Sequence, residues 1–322
     1  MDNTVKHIFI LNPVAGKRAG KSDLRAQIEQ TCADRGVDFV IYQTGAVGEA
    51  TTYVREMCAS NPDVQLRFYA CGGDGTLSET VNGARFFENV AVGVVPVGTG
   101  NDFVRNFEGK DAFLDIGAQL DGQMQKVDLI RYNDHLCVNM INIGFDCEVV
   151  KLTAKLKKSK LLPASVGYIA GLVLTLIRKP GVRASVSFNG GEPEQRRMLL
   201  TSVANGAWCG GGFHSSPLAH LQDGVLDMLM IKNVTRIRFL TLVGSYKSGS
   251  FVNDAKARRV IDYAKVQNVR YTFHGVQSIC VDGELFDVSE LEIGVAKKAL
   301  CLIVPDGAAY SEAAEPMPLG MC

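Results

Sequence analysis

The chain has 322 residues, and its 34 lysines and arginines balance its 34 aspartates and glutamates, so the formal net charge is zero. A balanced charge provides no basic footprint of the kind that nucleic-acid-binding proteins carry, so we expect no nucleic-acid partner. The length predicts roughly two domains, and the 9 scattered cysteines are typical of reduced thiols in a cytosolic protein.

The first part of the chain alternates strand-like and helix-like patterns. Apolar runs at 7–11, 38–42, 66–70 and 90–95 indicate strands, and the segments 21–35, 49–59 and 77–87 indicate helices between them. This alternation predicts an α/β domain with a mainly parallel sheet and helices on both faces. We place it at residues 1–126, and leave open that the C-terminal segment 305–322 returns to it.

The pattern changes after residue 126 and indicates a second, β-rich domain at residues 127–304. A hairpin is predicted from 127–132 and 136–143, turning at Asn133-Asp134, followed by helices at 148–161 and 166–177. Further strands are predicted at 183–188, 198–203, 225–231, 269–273, 278–281 and 300–304, with one helix at 236–249 among them. Such a series predicts a mainly antiparallel β domain.

The pentapeptide Gly72-Gly73-Asp74-Gly75-Thr76 follows the third predicted strand and leads into the third helix. Glycines before a helix N-terminus leave backbone amides where an anion can bind. Asp74 would repel a phosphate unless a cation lay between them, so the motif predicts a phosphate together with Mg²⁺. Residues 76–79 also fit a capping box, with Thr76 capping the helix and Glu79 reaching back, although that pattern explains neither Asp74 nor the glycines.

Two more motifs follow strands: Asn12-Pro13-Val14-Ala15-Gly16 after the first, and Pro96-Val97-Gly98-Thr99-Gly100-Asn101-Asp102 after the fourth. Each has a simpler interpretation, the first as a turn and the second as a helix cap. Because ligands of parallel sheets bind beyond the carboxyl ends of the strands, the three motifs together favour a phosphate site.

A relaxed P-loop is the alternative for the first motif, since four residues separate Ala15 from Gly20-Lys21-Ser22. Lys21 would then hold the β- and γ-phosphates, and Ser22 a Mg²⁺ ion. This alternative leaves the other two motifs unexplained.

Together, the patterns NPxAG, GGDGT and PxGTGND resemble the diacylglycerol kinase catalytic domain family, which includes sphingosine, ceramide and bacterial lipid kinases. The resemblance continues in Asn142-Ile143-Gly144-Phe145-Asp146, in residues 217–227 and in Asp282-Gly283-Glu284. It implies an ATP- and Mg²⁺-dependent lipid kinase. The implied fold is a nucleotide-binding domain of the 6-phosphofructokinase and NAD-kinase type with a β-sandwich second domain, and an active site in the cleft between them.

The resemblance also implies a set of nucleotide contacts in the first domain. Ala15 stands where the family usually has serine, so one hydroxyl contact is missing or supplied differently. The implied ATP-binding residues are Asn12, Pro13, Ala15, Gly16, Thr44, Gly72, Gly73, Asp74, Gly75, Thr76, Glu79, Gly98, Thr99 and Asn101.

In the second domain, Glu284 resembles the family's proton acceptor, with Asp74 and Asp282 as the next candidates. Asp282-Gly283 also predicts an ordinary hairpin turn. Asp223 resembles the ligand of a structural Mg²⁺, with His220 and Val225 as its neighbours, and Asp74 is the second predicted metal ligand. A β-turn at Asp223-Gly224 is the equal alternative.

A lipid acceptor implies contact with a membrane surface. Lys151, Lys155 and Lys158 share one helical face, which is either a solvated surface or a site for anionic headgroups. The apolar stretch 168–177 is far shorter than the ~20 residues that span a bilayer. We therefore expect a cytoplasmic protein, transiently at the inner face of the membrane, and leave a homodimer open. A kinase of a soluble acceptor and a nucleotide-responsive lipid-binding protein without catalysis remain alternatives.

Overall fold

The computed structural model describes residues 5–15, 21–158, 175 and 181–311, without side-chain detail for 21–23 and 153–158. These residues divide into two compact units. Among the described residues, the first unit comprises 5–15, 21–129 and 296–311, and the second comprises 130–158, 175 and 181–295. The division falls after Leu129, and the chain returns to the first unit at Ala296. The predicted helix at 166–177 falls outside the described residues except at Thr175.

The first unit contains a parallel sheet in the strand order β2-β1-β3-β4, as the alternating pattern predicts. A later strand extends it, since Leu302 pairs in parallel with Val92. Its strands are β1 (Val5–Leu11), β2 (Phe39–Gln43), β3 (Gln65–Gly72) and β4 (Val90–Pro96), and its helices are α1 (Lys21–Arg35), α2 (Glu49–Ser60), α3 (Asp74–Ala84) and α4 (Ile116–Leu120).

Successive side chains of a strand point to opposite sides of the sheet. Because these side chains are mostly apolar, both sides of the sheet are buried. On one side, Phe9, Tyr69 and Val95 pack with Ile28 of α1 and Leu120 of α4 in a single core cluster. Helices α2 and α3 pack against each other, and α3 contacts β3 and β4. A Cβ on Gly83 would lie 2.7 Å from Cβ of Val54 and 2.7 Å from the carbonyl oxygen of Thr51, so glycine is required there for close helix packing.

The third helix begins earlier than predicted, at Asp74 instead of residue 77, and ends at Ala84 instead of residue 87. Its N-cap is Gly73, so the glycine-rich turn is shorter than the sequence suggests. The helix ends at its C-cap Arg85, whose ψ of 138° leaves the helical region, and Phe86 follows with a φ of 75° in the left-handed region.

The second unit is mainly antiparallel, as predicted. Strands follow the order β12-β11-β10-β8-β13-β14, and β9 pairs with β10 and β13. The elements that lie in or reach into this unit are β6 (Gln123–Tyr132), β7 (His135–Cys137), β8 (Met140–Gly144), α5 (Phe145–Lys158), β9 (Val182–Phe188), β10 (Glu194–Ala204), β11 (Leu226–Lys232), α6 (Arg236–Ser248), β12 (Ile261–Val266), β13 (Asn268–Val281) and β14 (Glu284–Val304). A short pair, β5 (Phe107–Glu108) and β15 (Ala309–Tyr310), belongs to the first unit.

The predicted hairpin at Asn133-Asp134 is present, with Tyr132 opposite His135. Its second strand, however, is not continuous, because β7 ends at Cys137 and β8 begins at Met140. The amides of Val138 and Asn139 donate to the carboxylate of Asp282 instead of to a neighbouring strand. A side chain 143 or 144 residues away along the chain therefore interrupts the strand, and no local pattern could reveal it.

Two strand predictions were incomplete. The runs 269–273 and 278–281 belong to one strand, β13, whose pairing with β14 shifts register between Thr272 and Gln277. The prediction at 300–304 captured only the end of the 21-residue strand β14, and β12 was missed altogether. The charged residues along β12 and β14 conceal the alternation by which a half-buried strand is recognised.

Protonation of His7 should destabilise the first unit in mild acid. Burial, followed by the nearby Arg67 charge, lowers the pKa of His7 to about 4, and Nδ1 lies 2.9 Å from the Tyr69 hydroxyl. Since the unfolded chain binds this proton near pH 6.5, stability is lost as the pH falls from 6.5 towards 4. Between pH 7 and pH 5 we expect wild type to lose about 2 kcal/mol more than His7→Phe in urea unfolding. Parallel pH profiles for the two proteins would contradict this assignment.

Candidate functional site

The carboxyl ends of β1, β3 and β4 bring the three glycine-containing motifs together. These strands are adjacent in the sheet. The Asn12 amide donates to the Cys71 carbonyl over 3.1 Å, and the Gly98 amide donates to the Gly72 carbonyl over 2.9 Å. Backbone bonds therefore join the first motif to the residue just before the second, and the third motif to the second itself.

Asn12 uses its side chain to connect two of the motifs. Its Nδ2 donates to Thr76 Oγ1 over 3.0 Å, and its Oδ1 accepts from the Val14 amide at 3.0 Å. Thr76 is buried, with 5% of its surface exposed. Both side chains thus hold the loops together, while Pro13 and Val14 form an exposed turn that the hydrogen bond from the Ala15 amide to the Asn12 carbonyl closes. Gly16 and Gly20 lie outside the described residues, as do the side chains of Lys21 and Ser22, on which the P-loop alternative depends.

Glycine is needed where the second and third motifs meet. A Cβ on Gly98 would lie 2.4 Å from the Gly73 Cα and 2.8 Å from the Gly73 nitrogen, closer than any side chain can approach. A Cβ on Gly72 would lie 2.1 Å from Thr76 Oγ1. Helix α3 starts at this contact with Gly73 as N-cap and without a side-chain cap. Amides of an uncapped first turn, at the positive end of the helix dipole, form an anion-binding arrangement.

Asp74 fastens the third motif to the second. Its Oδ2 accepts from the Asp102 amide and its Oδ1 from the Phe103 amide, each at 3.2 Å. These amides lie at the start of the 3₁₀ helix Phe103–Asn106, so the carboxylate also caps that helix. A carboxylate offers about four lone-pair sites. Two accepted hydrogen bonds therefore leave Asp74 with acceptor capacity for the Mg²⁺ ion that the sequence predicts.

The other residues of the third motif form its turn. Asn101 has a φ of 51°, and its Nδ2 donates to the Pro96 and Gly98 carbonyls, each at 2.9 Å. Thr99 is exposed at the tip of the loop. Asp102 and Arg105 form an ion pair of 3.2 Å. Asn101 therefore fixes the loop, and Thr99 is the residue whose side chain faces outward.

Thr44 and Glu79 both have structural partners. Thr44 is buried, and its amide donates to the Leu11 carbonyl over 2.9 Å and its hydroxyl to the same carbonyl over 3.3 Å. Glu79 Oε2 accepts from the Ala50 amide at 3.2 Å, in the first turn of α2. The capping-box interpretation is thus wrong, because Glu79 caps the neighbouring helix rather than its own.

The hairpin at Asp282-Gly283 is present, and it separates the roles of its two acids. Val281 pairs with Glu284, and Asp282 and Gly283 have φ values of 46° and 92°. The Asp282 carboxylate accepts from the amides of Val138, Asn139 and Met140 over 2.7–3.1 Å. Burial raises the pKa of Asp282 although these amides work against it. Asp282 therefore anchors the hairpin, while Glu284 lies at its exposed end.

Of the predicted metal ligands in the second unit, Asp223 is the one that contacts an ammonium group. Lys265 Nζ lies 2.7 Å from Asp223 Oδ2, 3.1 Å from Asp227 Oδ2 and 2.9 Å from the Leu218 carbonyl. His220 Nδ1 accepts from the Gln222 amide at 3.2 Å, and the Val225 amide donates to Asp223 Oδ1 over 3.2 Å. The residues present do not fit a metal at Asp223, and the turn that was the alternative is what the structure contains. Among the described residues no cluster of three or more histidine, cysteine, aspartate or glutamate side chains could hold an ion.

One basic group, Lys265, and one acidic group, Asp146, were not recognised from the sequence as buried or paired groups. Lys265 lies on β12, which was itself not predicted because the charged residues of Ile261–Val266 conceal its alternation. Asp146 lies in the first turn of α5, where burial raises its pKa to about 6 and the Tyr246 hydroxyl donates to it over 3.4 Å. Its burial could not be inferred from the motif that contains it.

The lysine-rich helix face is only partly described. Lys151 Nζ is 3.2 Å from Glu148 Oε1 and also donates to Ser278 Oγ, so its charge is engaged locally. The side chains of Lys155 and Lys158 lie outside the described residues. In the part of the chain that the structure describes, no helix has the length and apolar character needed to cross a bilayer.

Comparison with known families gives two matches that together cover most of the chain. Residues 6–132 match the diacylglycerol kinase catalytic domain. Residues 139–304 match the YegS C-terminal NAD kinase beta sandwich-like domain.

Individual relatives are distant but extend over nearly the full length. A diacylglycerol kinase of Bacillus subtilis is 27% identical over 282 residues, covering 86% of this chain and 88% of the relative. A probable YegS-like lipid kinase of Chromohalobacter salexigens is 27% identical over 311 residues, covering 94% of both. A crystal structure of a putative diacylglycerol kinase from Bacillus anthracis has the same fold, with a TM-score of 0.73 and 22% identity over 94% of this chain and 98% of that one.

Substitution of Gly98 should disrupt the junction of the motifs. A Gly98→Ala side chain has to displace the Gly73 backbone, which we expect to cost roughly 1–3 kcal/mol of unfolding free energy in urea. Gly45→Ala is the matched control, because its Cβ would meet only the flexible Glu49 carboxylate at 3.4 Å. Equal stabilities of the two variants would show that the contact does not constrain the fold.

Asp282 and Glu284 should differ in their effect on stability although only Gly283 separates them. Asp282→Ala leaves three backbone amides without their acceptor, and we expect a loss of at least about 3 kcal/mol, at 1–3 kcal/mol for each buried unpaired group. Glu284→Gln should remain within about 0.5 kcal/mol of wild type, as is usual for surface changes. A thermal or urea unfolding series measures both, and an unaffected Asp282→Ala would refute the anchoring role.

Proposed function

Because this chain belongs to the family that joins a diacylglycerol kinase catalytic domain to a YegS-type C-terminal domain, we propose that it is an ATP- and Mg²⁺-dependent lipid kinase. In this proposal it transfers the γ-phosphoryl group of ATP to a hydroxyl of a diacylglycerol-like or sphingoid lipid. The names of its relatives support lipid kinase activity at the level of the family.

The observation that carries the proposal is the joining of three loops at the carboxyl ends of β1, β3 and β4. Phosphoryl transfer depends on positioning and on neutralising phosphate charge more than on covalent chemistry. The Gly73–Gly98 contact brings bare backbone to the N-terminus of α3. In the proposal, the amides of this turn bind the phosphates of ATP, and the exposed Thr99 contributes a hydroxyl.

Asp74 is the residue that fits a catalytic Mg²⁺. Its carboxylate retains acceptor capacity beyond the amides of Asp102 and Phe103. Asp74 would hold the ion, which would supply positive charge against the phosphates of ATP. The hydrogen bonds from the two amides hold Asp74 in place before any ligand binds.

Glu284 is proposed as the general base. It would accept the proton of the lipid hydroxyl as the hydroxyl oxygen attacks the γ-phosphorus and ADP leaves. A group in this role is worth about 10²–10⁴-fold in rate. Anchoring of the turn by Asp282 fixes the direction in which Glu284 is presented, so Asp282 acts as a positioning residue rather than as a base.

A transfer assay with labelled ATP tests the activity. Mixed micelles containing diacylglycerol, monoacylglycerol, sphingosine, ceramide or undecaprenol are offered to wild type, Asp74→Asn and Glu284→Gln. We expect label in one lipid with wild type and a loss of at least about 10²-fold in kcat for Glu284→Gln, with its stability and ATP binding retained. Asp74→Asn keeps an oxygen that can accept an amide hydrogen bond, so its loss of activity would report on the carboxylate charge.

The same assay separates the alternatives. Label in a soluble acceptor such as NAD, without micelles, would move the assignment to a kinase of soluble substrates. Tight binding of Mg·ATP with no transfer to any acceptor would favour a nucleotide-responsive lipid-binding protein. Near-normal turnover of Glu284→Gln would remove Glu284 from the mechanism.

A further inference from the structure

The loop between β10 and β11 closes around a lysine side chain. Lys265 projects from β12 directly opposite Asp227 of β11 in the strand register. Its ammonium lies within 3.1 Å of three oxygens, those of Asp223, Asp227 and the Leu218 carbonyl. An ammonium has three N–H donors, so each of them has an acceptor.

The acid at the centre of this arrangement requires a cation. The Asp227 side chain is only 1% exposed, and a buried carboxylate is tolerated when it is paired and hydrogen-bonded. Tyr263 donates its hydroxyl to Asp227 Oδ1 over 2.8 Å, and Lys265 pairs with Oδ2. The Tyr263 hydroxyl also accepts from the Leu218 amide at 3.4 Å, so the loop is joined to both strands.

A divalent ion at Asp223 would be incompatible with this lysine. It would have to share a carboxylate whose Oδ2 lies 2.7 Å from a positive charge, and like charges at such separations repel strongly in a partly buried site. The other oxygen of Asp223 accepts the Val225 amide and shapes the turn at Gly224, whose φ is 74°.

We propose that Lys265 is the resident cation of this loop, so that its ammonium takes the place of a structural metal ion. The second unit then folds and keeps its loop without a divalent ion. This inference concerns stability and does not depend on the proposed kinase activity.

The first test is thermal unfolding of the nucleotide-free wild type with EDTA and with excess Mg²⁺ or Ca²⁺. We expect the same Tm in all three conditions. A rise in Tm with either ion that disappears in Asp223→Asn would overturn the proposal, because the ion would then bind at this carboxylate. A rise that persists in Asp223→Asn places the ion elsewhere and leaves the lysine as the cation of the loop.

The second test removes the ammonium. Lys265→Met leaves Asp227 buried without its cation, and we expect Tm to fall by roughly 5–15 °C. Lys232→Met is the matched control, since Lys232 of β11 forms a 3.0 Å ion pair with Asp262 of β12, with side chains 50% and 39% exposed. We expect the Tm of Lys232→Met to fall by at most about 2 °C. Equal small shifts would refute the role of Lys265. If Lys265→Met does not fold, the EDTA comparison on wild type still decides the question.

Discussion

The architecture of the first unit depends on the close approach of two glycine backbones, Gly73 and Gly98, at the ends of neighbouring parallel strands. No side chain fits between them, since a Cβ on Gly98 would lie 2.4 Å from the Gly73 Cα. This contact brings the third motif against the start of α3 and leaves the helix N-terminus surrounded by backbone. A phosphate site made of amides requires such an arrangement, because side chains would keep an anion at a distance.

Buried or half-buried carboxylates hold the loops of both units. Asp74 accepts two amides of the segment after β4, and Asp282 accepts three amides between β7 and β8. Each amide would otherwise be an unpaired donor inside the protein, at a cost of about 1–3 kcal/mol. Asp74 and Asp282 were both predicted from the sequence as candidates for catalysis, and both have a structural function. Asp74 retains acceptor capacity beyond its two amides, whereas Asp282 accepts three amides, and the proposed role of base falls to Glu284.

Local patterns predicted most of the elements, and the misses have physical causes. The helix Lys21–Arg35 and the four parallel strands follow from periodicity, and the turn at Asp282-Gly283 follows from the preference of this pair for positive φ. The break between β7 and β8 depends on a carboxylate far along the chain, and β12 carries a lysine that pairs across strands. Glu79 caps α2 instead of α3 for a comparable reason, since Ala50 is its neighbour only after the two helices have packed.

The sequence by itself determined the alternation of strands and helices in the first unit, the antiparallel character of the second, and the three motifs whose likeness to a lipid kinase family the comparisons confirm. These properties depend on patterns of a few residues. The local structural preference of such a pattern does not require a partner far along the chain. Only the tertiary structure decided which side chain each acid meets. Asp223 meets an ammonium from β12, Asp282 meets three amides and Asp74 meets two, because partners that are distant in the chain become neighbours only when strands pair.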